Sequence, residues 1–343
     1  MKVWILREEL ILRKYLIFII LFLTLTYPGF SQKYTLKFAT VAPEGSTYLK
    51  VLREYTEEVR ILTNGEIKFK IYPSQIQGDE KDVLRKIRLG QLHGGGFTGM
   101  GLGEILPETR IIELPLMYRD YKEIDYITSK LFDEFSRKFE DNGFIILGWA
   151  DVGFAYVYSQ QPITSLDDLR GTKMWMWEGD PLAEATFKAL GVSAIPISLT
   201  DVMTALQTNM IEAVYVPPLP CVTLQWYTRI NYITDLPLAY VSGAIIISKI
   251  MYDKIPAAYQ EILREKGRES MKKLVQLGRK DNEDSIELMK KDGIKLVSVP
   301  KENLAELYAA GEEARRILVG KLYDQELLDR VESMLVEFRK KNP

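Results

Sequence analysis

YTLKFATV (Tyr34 to Val41) is rich in strand formers, alternates in part and stops at Ala42-Pro43-Glu44-Gly45, so it reads as a strand. Ser46 to Leu62 follows as an amphipathic helix ended by Thr63-Asn64-Gly65. EIKFKIY (Glu66 to Tyr72) alternates charged and apolar residues, the pattern of a half-buried strand, and Pro73 stops it. Asp79 to Leu89 returns to helical spacing, with Gly90 as its C-terminal cap. Strand, helix, strand, helix in this order begins an α/β domain with a parallel sheet.

The alternation continues along the chain. Tyr121 to Phe139 reads as helix, and Phe144 to Trp149 and Phe154 to Tyr158 as two strands. Lys173 to Trp177 (KMWMW) is a short strand of unusual bulk. Asp180 caps a helix that opens on Pro181 and stops at Gly191. Thr200 to Asn209 is helical, and Glu212 to Val216 is a strand broken by Pro217-Pro218 and Pro220. Ala244 to Ser248 is a buried strand, Pro256 to Lys291 is helical and charged, Ile294 to Val299 is a strand and Lys301 to Lys340 is mostly helix. There is no internal repeat, low-complexity tract or flexible linker, which points to two lobes that the backbone crosses more than once.

Composition narrows the chemistry. The chain has 343 residues, one histidine and one cysteine, with 45 Lys+Arg against 47 Asp+Glu. A Ser/His triad would have to use His93, and a Cys/His pair could only be Cys221 with His93. No CxxC or HExxH supplies zinc ligands, a lone thiol forms no disulfide within the chain, and the near-neutral charge gives no basic stripe for nucleic acid. At this length two domains are expected.

Residues 1–31 stand apart. Lys2, Arg7, Arg13 and Lys14 precede the apolar run Tyr15 to Thr26, then Pro28 and the small residues Gly29 and Ser31. This is the layout of a secretory signal peptide cleaved before Gln32. An uncleaved anchor is the weaker alternative, because a span usually needs about 20 apolar residues. No cysteine stands at the cleavage point, so lipid attachment there is excluded.

Three features invite a chemical reading. Gly94 to Gly99 matches GxGxxG, but a dinucleotide loop follows a strand and opens a helix. Here the match follows a helix and precedes a glycine-rich, proline-containing stretch, so a short strand and loop with close packing is favoured. The carboxylates Asp79, Glu80, Glu113, Asp151, Glu178 and Asp180 lie near apolar or aromatic residues; solvated or capping roles are expected for them. His93 and Cys221 read as packing residues. The aromatics say more: Trp149, Trp175, Trp177 and Trp226 fall close together, and alternation puts Lys173, Trp175 and Trp177 on one strand face. That suits either an ordinary core or a pocket for an apolar ligand.

Taken with LKFA (Leu36 to Ala39), Tyr72-Pro73 before Gly78-Asp79, Leu114-Pro115 before Tyr118, SLDDLRGTK (Ser165 to Lys173) and ALQTN (Ala205 to Asn209), the chain resembles the solute-binding proteins of TRAP (tripartite ATP-independent periplasmic) transporters, of the DctP type. The resemblance runs from about Tyr34 to about Leu335. It implies an α/β fold like the type II periplasmic binding proteins: two α/β lobes joined by hinge strands, with long C-terminal helices. On that basis lobe I takes residues 32–152 plus 242–281, and lobe II takes 153–241 plus 282–343. It further implies a periplasmic location, a ligand cleft between lobes, delivery to membrane permease subunits, no cofactor and no catalysis.

At three positions the sequence departs from that family's pattern. Trp175 stands where an arginine usually grips a ligand carboxylate, Ala155 where a second arginine is common, and Val216 where an amide contact is usual. Burying an organic carboxylate without such partners is costly. The expected ligand is therefore hydrophobic or amphipathic, lipid-like or aromatic, held by Trp175, Ala155 and Val216 with Tyr215, Trp177 and Leu199, and touched by Thr98 and Asp79. The subgroup with apolar pockets also suggests a periplasmic tetratricopeptide-repeat partner. Two alternatives stand beside this: a small organic acid held by Arg119 or Lys173, or an interaction protein whose cleft its own side chains fill.

Overall fold

The computed structural model describes residues 33–342. The signal-peptide expectation for residues 1–31 lies outside the described residues. The opening elements follow the sequence pattern: β1 (Tyr34–Thr40), α1 (Thr47–Leu62), β2 (Ile67–Tyr72), α2 (Glu80–Arg88) and β3 (Gly94–Thr98). Ser46 caps α1 by accepting from Leu49 N, and Asp79 caps α2 by accepting from Glu80 N. Then come a short helix α3 (Gly99–Gly103), a 3-10 turn (Pro107–Glu113), α4 (Tyr121–Asp141) and β4 (Phe144–Ser159). The stretch after GxGxxG thus forms one short helix rather than only a loop.

The middle of the chain adds α5 (Leu166–Arg170), β5 (Trp175–Trp177), α6 (Pro181–Leu190), β6 (Ile195–Ile197), α7 (Val202–Gln207) and β7 (Ala213–Val216). Asp180 caps α6 ahead of Pro181, and Gly191 ends it at φ +68°. The prolines after β7 end the strand and open a helix, α8 (Pro218–Thr223), because proline is tolerated in a first helical turn. The chain finishes with β8 (Tyr232–Thr234), β9 (Ala239–Ser248), α9 (Lys249–Tyr252), α10 (Ala257–Lys291), β10 (Lys295–Val297), α11 (Lys301–Leu318) and α12 (Gln325–Lys341).

Two lobes result, each an α/β layer. In the first, β2, β1 and β3 are parallel, β9 pairs antiparallel with β3, and β4 pairs antiparallel with β9. The parallel-sheet expectation therefore holds for its first three strands. In the second lobe β4 continues from Tyr156 to Ser159 against β7 and β8, β10 joins β8, and β5 pairs with β6. The two strands expected over Phe144–Trp149 and Phe154–Tyr158 are one strand of 16 residues. Pairing with β9 carries it through a register shift between Asp151 and Gly153, where local propensity alone signals a break.

Gly153 sits at φ +120°, and a side chain there would meet Asn282 Nδ2 at 2.4 Å. Asn282, buried on α10, donates to Val152 O (2.8 Å) and accepts from Leu219 N (2.8 Å). One helical side chain thus holds the crossing of β4 and the start of α8 in register. Helix α10 packs on α1 and β4 of the first lobe and on α8 of the second. The last two helices separate: α11 packs on α6, while α12 lies on α4 through the Arg339–Glu123 ion pair (2.7 Å). Among the described residues no helix is long and apolar enough to cross a membrane.

Candidate functional site

A cavity of about 230 Å³ lies between the lobes, bounded by β3, the crossing of β4 and β9, β5, α6 and the β7–α8 corner. Thr98, Ala155, Trp175, Trp177, Leu199, Tyr215 and Val216 line it. Asp79 does not. Its Oδ2 accepts from Trp177 Nε1 at 2.9 Å and from Ser198 Oγ at 3.4 Å, so it meets the wall from behind. Thr98 lines the cavity, but its hydroxyl donates to Glu80 Oε2 (3.0 Å). Arg119 and Lys173, the cations considered for an acid, are exposed and outside the lining; Lys173 pairs with Glu212 at 2.9 Å.

The aromatic wall uses up its own polar handles. Trp175 is only 1% exposed, and its Nε1 donates to Ile197 O at 3.0 Å. Its ring stacks on Tyr215 (5.1 Å between centroids) and meets Trp226 edge-on (5.3 Å). Backbone alternation in β5 turns Trp175 and Trp177 to the same side, their centroids 6.1 Å apart. With both indole N–H groups bonded internally, the two tryptophans offer the cavity apolar ring surface.

Part of the lining is charged. Four carboxylates line the cavity, those of Glu80, Glu113, Asp151 and Asp180, with Arg110 as the one cationic side chain among the described residues. All five are buried; Asp180 caps α6 as expected, while burial of Glu80, Glu113 and Asp151 corrects the expectation of solvated or capping carboxylates, and Glu178 alone of the candidates is exposed. Arg110 Nη2 donates to Asp180 Oδ2 at 3.0 Å, and its Nε lies 2.8 Å from Glu113 Oε2 in an ionic contact rather than an aligned hydrogen bond. Burial pulls the guanidinium pKa down, but Asp180 and Glu113 more than offset that and hold it charged. Glu113 Oε1 accepts from Ser242 N and Oγ, each at 2.6 Å; burial still raises its pKa against Arg110 and Ser242.

Glu80 accepts from Thr98 N and Gly101 N, both at 2.8 Å. Burial nonetheless pushes its pKa up to about 8, with the Asp79 charge adding to it, so the group is mostly protonated at neutral pH. Asp151 pairs through Oδ2 with Arg279 Nε (2.9 Å), whose guanidinium lies over the Tyr121 ring at 4.2 Å.

The glycine motif makes room for these groups. A Cβ on Gly96 would lie 1.5 Å from the Tyr48 hydroxyl, and one on Gly99 would lie 1.9 Å from Glu113 Oε1. The space that a dinucleotide loop leaves for pyrophosphate is filled by a tyrosine and a carboxylate. His93 is half-buried and accepts from Lys37 N at 3.1 Å, with burial lowering its pKa. Cys221 is fully buried, which pushes its thiol pKa well up. Neither touches the cavity.

Arg110 went unnoticed in the sequence. It lies three residues before Glu113 in RIIE, the spacing that brings a charge pair together on one turn. Glu113 itself sits inside the apolar run Ile111-Ile112-Glu113-Leu114, a signal of burial.

A cavity between two α/β lobes is an arrangement suited to holding a ligand. Residues 38–319 match the bacterial extracellular solute-binding proteins, family 7 (DctP). The chain belongs to that family. It is a TRAP-type solute-binding protein, a transport component and not an enzyme. It is 26% identical to a solute-binding protein of Verminephrobacter eiseniae over 64% of this chain and 65% of that one, just under two thirds of its length. It is also 26% identical to the C4-dicarboxylate-binding periplasmic protein DctP of Rhodobacter capsulatus, over 79% of this chain and 82% of that one. Among solved structures, a TRAP periplasmic solute-binding protein from Desulfovibrio salexigens with bound orotic acid superposes with a TM-score of 0.82. The two share 20% identity, and the match covers 89% of this chain and 99% of that one. That likeness speaks to the fold.

Proposed function

We propose that this chain is the periplasmic binding component of a TRAP-type system for a compact, largely apolar ligand, which it delivers to membrane permease subunits. The supporting observation is the cavity wall: aromatic faces from Trp175, Trp177 and Tyr215, with Arg110, the one cation in the lining, already held by Asp180 and Glu113. A ligand carboxylate would have to break a buried ion pair or enter without a cation, and either is costly. The volume favours a single substituted ring over a long acyl chain. A cavity of about 150 Å³ accommodates benzene, and this one is about 230 Å³.

In this account Trp175 replaces a carboxylate-gripping arginine with an apolar face, and Ala155 and Val216 leave space beside it. Export with cleavage near Ser31 and association with a periplasmic tetratricopeptide-repeat protein belong to the same proposal. So does a division into lobes at 152/153 and 241/242, with the C-terminal helix α12 assigned to the first lobe because it packs on α4.

A small organic acid is the competing reading. Arg110 in the wall favours it, as do the dicarboxylate and orotate that the named relatives bind. A thermal-shift panel on ligand-stripped protein separates the two. Compact aromatic compounds should raise the melting temperature, and C4-dicarboxylates and sugar acids should leave it unchanged; the reverse pattern refutes the apolar cleft.

A further inference from the structure

The charged part of the cavity lining carries a chemical instruction of its own. Glu113 and Asp180 share one guanidinium, so that group of three retains one negative charge. Asp151 spends Oδ2 on Arg279. Its side chain is 1% exposed, yet Oδ1 receives no hydrogen bond of normal geometry, although the Tyr240 hydroxyl approaches the carboxyl. The buried Tyr48 hydroxyl, beside Thr40, likewise lacks a partner of normal geometry. Both residues line the cavity. Native interiors rarely leave a carboxylate oxygen buried without a donor.

Electrostatics sets the sign of the missing group. With Glu80 mostly protonated, the lining still sets Glu113, Asp151 and Asp180 against Arg110, and Arg279 behind Asp151 is shared with Asp125, so negative charge is in excess. An anion would be repelled there, a neutral hydroxyl would supply one donor, and an ammonium would supply up to three donors and a compensating charge.

We propose that the ligand carries a protonated amine or a similarly cationic donor group at one end of its compact aromatic body, with the ring against Trp175 and Tyr215 and the cationic end at Asp151 and the Glu113–Asp180 pair. This rests on the interlobe cavity being the ligand site, and it adds the chemistry of the head group.

The test uses three probes of nearly equal size on ligand-stripped wild-type protein, followed by tryptophan fluorescence and calorimetry: 2-phenylethylamine, 2-phenylethanol and phenylacetate. The amine should bind about tenfold or more tightly than the alcohol, with phenylacetate weakest. Asp151→Asn should remove most of the amine's advantage, read as the ratio of amine to alcohol affinity within each protein. Should that variant fail to fold, the wild-type ranking decides alone. Equal affinities overturn the cationic head group and leave the aromatic cleft standing; tightest binding of phenylacetate overturns both the cationic head group and the exclusion of carboxylates from the cleft. Failure of all three probes to bind at millimolar concentration overturns both.

Discussion

The indole N–H of Trp177 donates to Asp79 Oδ2 at 2.9 Å, joining β5 of the second lobe to the N-terminal cap of α2 in the first. Lys81 Nζ adds a contact to Gly179 O at 3.0 Å close by. The two lobes are thus pinned at the edge of the cavity by a charge-assisted hydrogen bond. Trp177→Phe keeps an aromatic face but deletes the donor together with the five-membered ring. Removing one such bond costs about 1.5–3 kcal/mol, so ligand affinity should fall about tenfold or more, mainly through faster release in stopped-flow experiments. Unchanged release would show that the bond does not hold the lobes together.

Trp175 both packs in the core and lines the cavity. Truncation to alanine removes a large buried side chain stacked on Tyr215 and Trp226 and should cost about 3–5 kcal/mol of stability by urea denaturation. Trp175→Phe should cost less and still weaken aromatic ligands. If the alanine variant unfolds at the wild-type urea concentration, the ring is not an element of the core.

Stability should depend on pH through Glu80. Its folded pKa of about 8 lies above the unfolded carboxyl value of 4.5. Between those values the native state binds more protons than the unfolded chain, so stability contributed below pH 4.5 is lost as pH rises through about 8. The loss approaches about 1.4 kcal/mol per pH unit within that window. Denaturation midpoints from pH 5 to 8 should fall more steeply for wild type than for Glu80→Gln, and parallel curves would contradict the burial of an ionisable Glu80.

The glycine motif makes a steric prediction. Gly96→Ala places a methyl on the Tyr48 hydroxyl and should destabilise by about 1–3 kcal/mol, measured by urea denaturation. Tyr48→Phe in the same chain should recover only a small part, because the ring carbon Cζ is also within 2.4 Å. Full recovery would place the conflict at the hydroxyl alone.

The α/β alternation, the caps at Asp79 and Asp180 and the long helix after Pro256 were legible because each depends on local periodicity or a single cap residue. β4 was read as two strands because its continuity comes from β9, nearly ninety residues later, and from Asn282 on α10. The apolar wall at Trp175, Trp177, Tyr215 and Val216 was visible through the family pattern it departs from. The acidic wall was not. Glu80, Glu113, Asp151 and Asp180 come from four separate elements, and only folding shows that they converge on one cavity, two of them on Arg110.

The most direct measurement is the identity of whatever the protein carries when purified, by denaturing extraction and mass spectrometry. A stoichiometric compact aromatic compound without a carboxylate is the expected result. A short dicarboxylate, a sugar acid or a sialic-acid-like molecule in stoichiometric amount would contradict the apolar cleft.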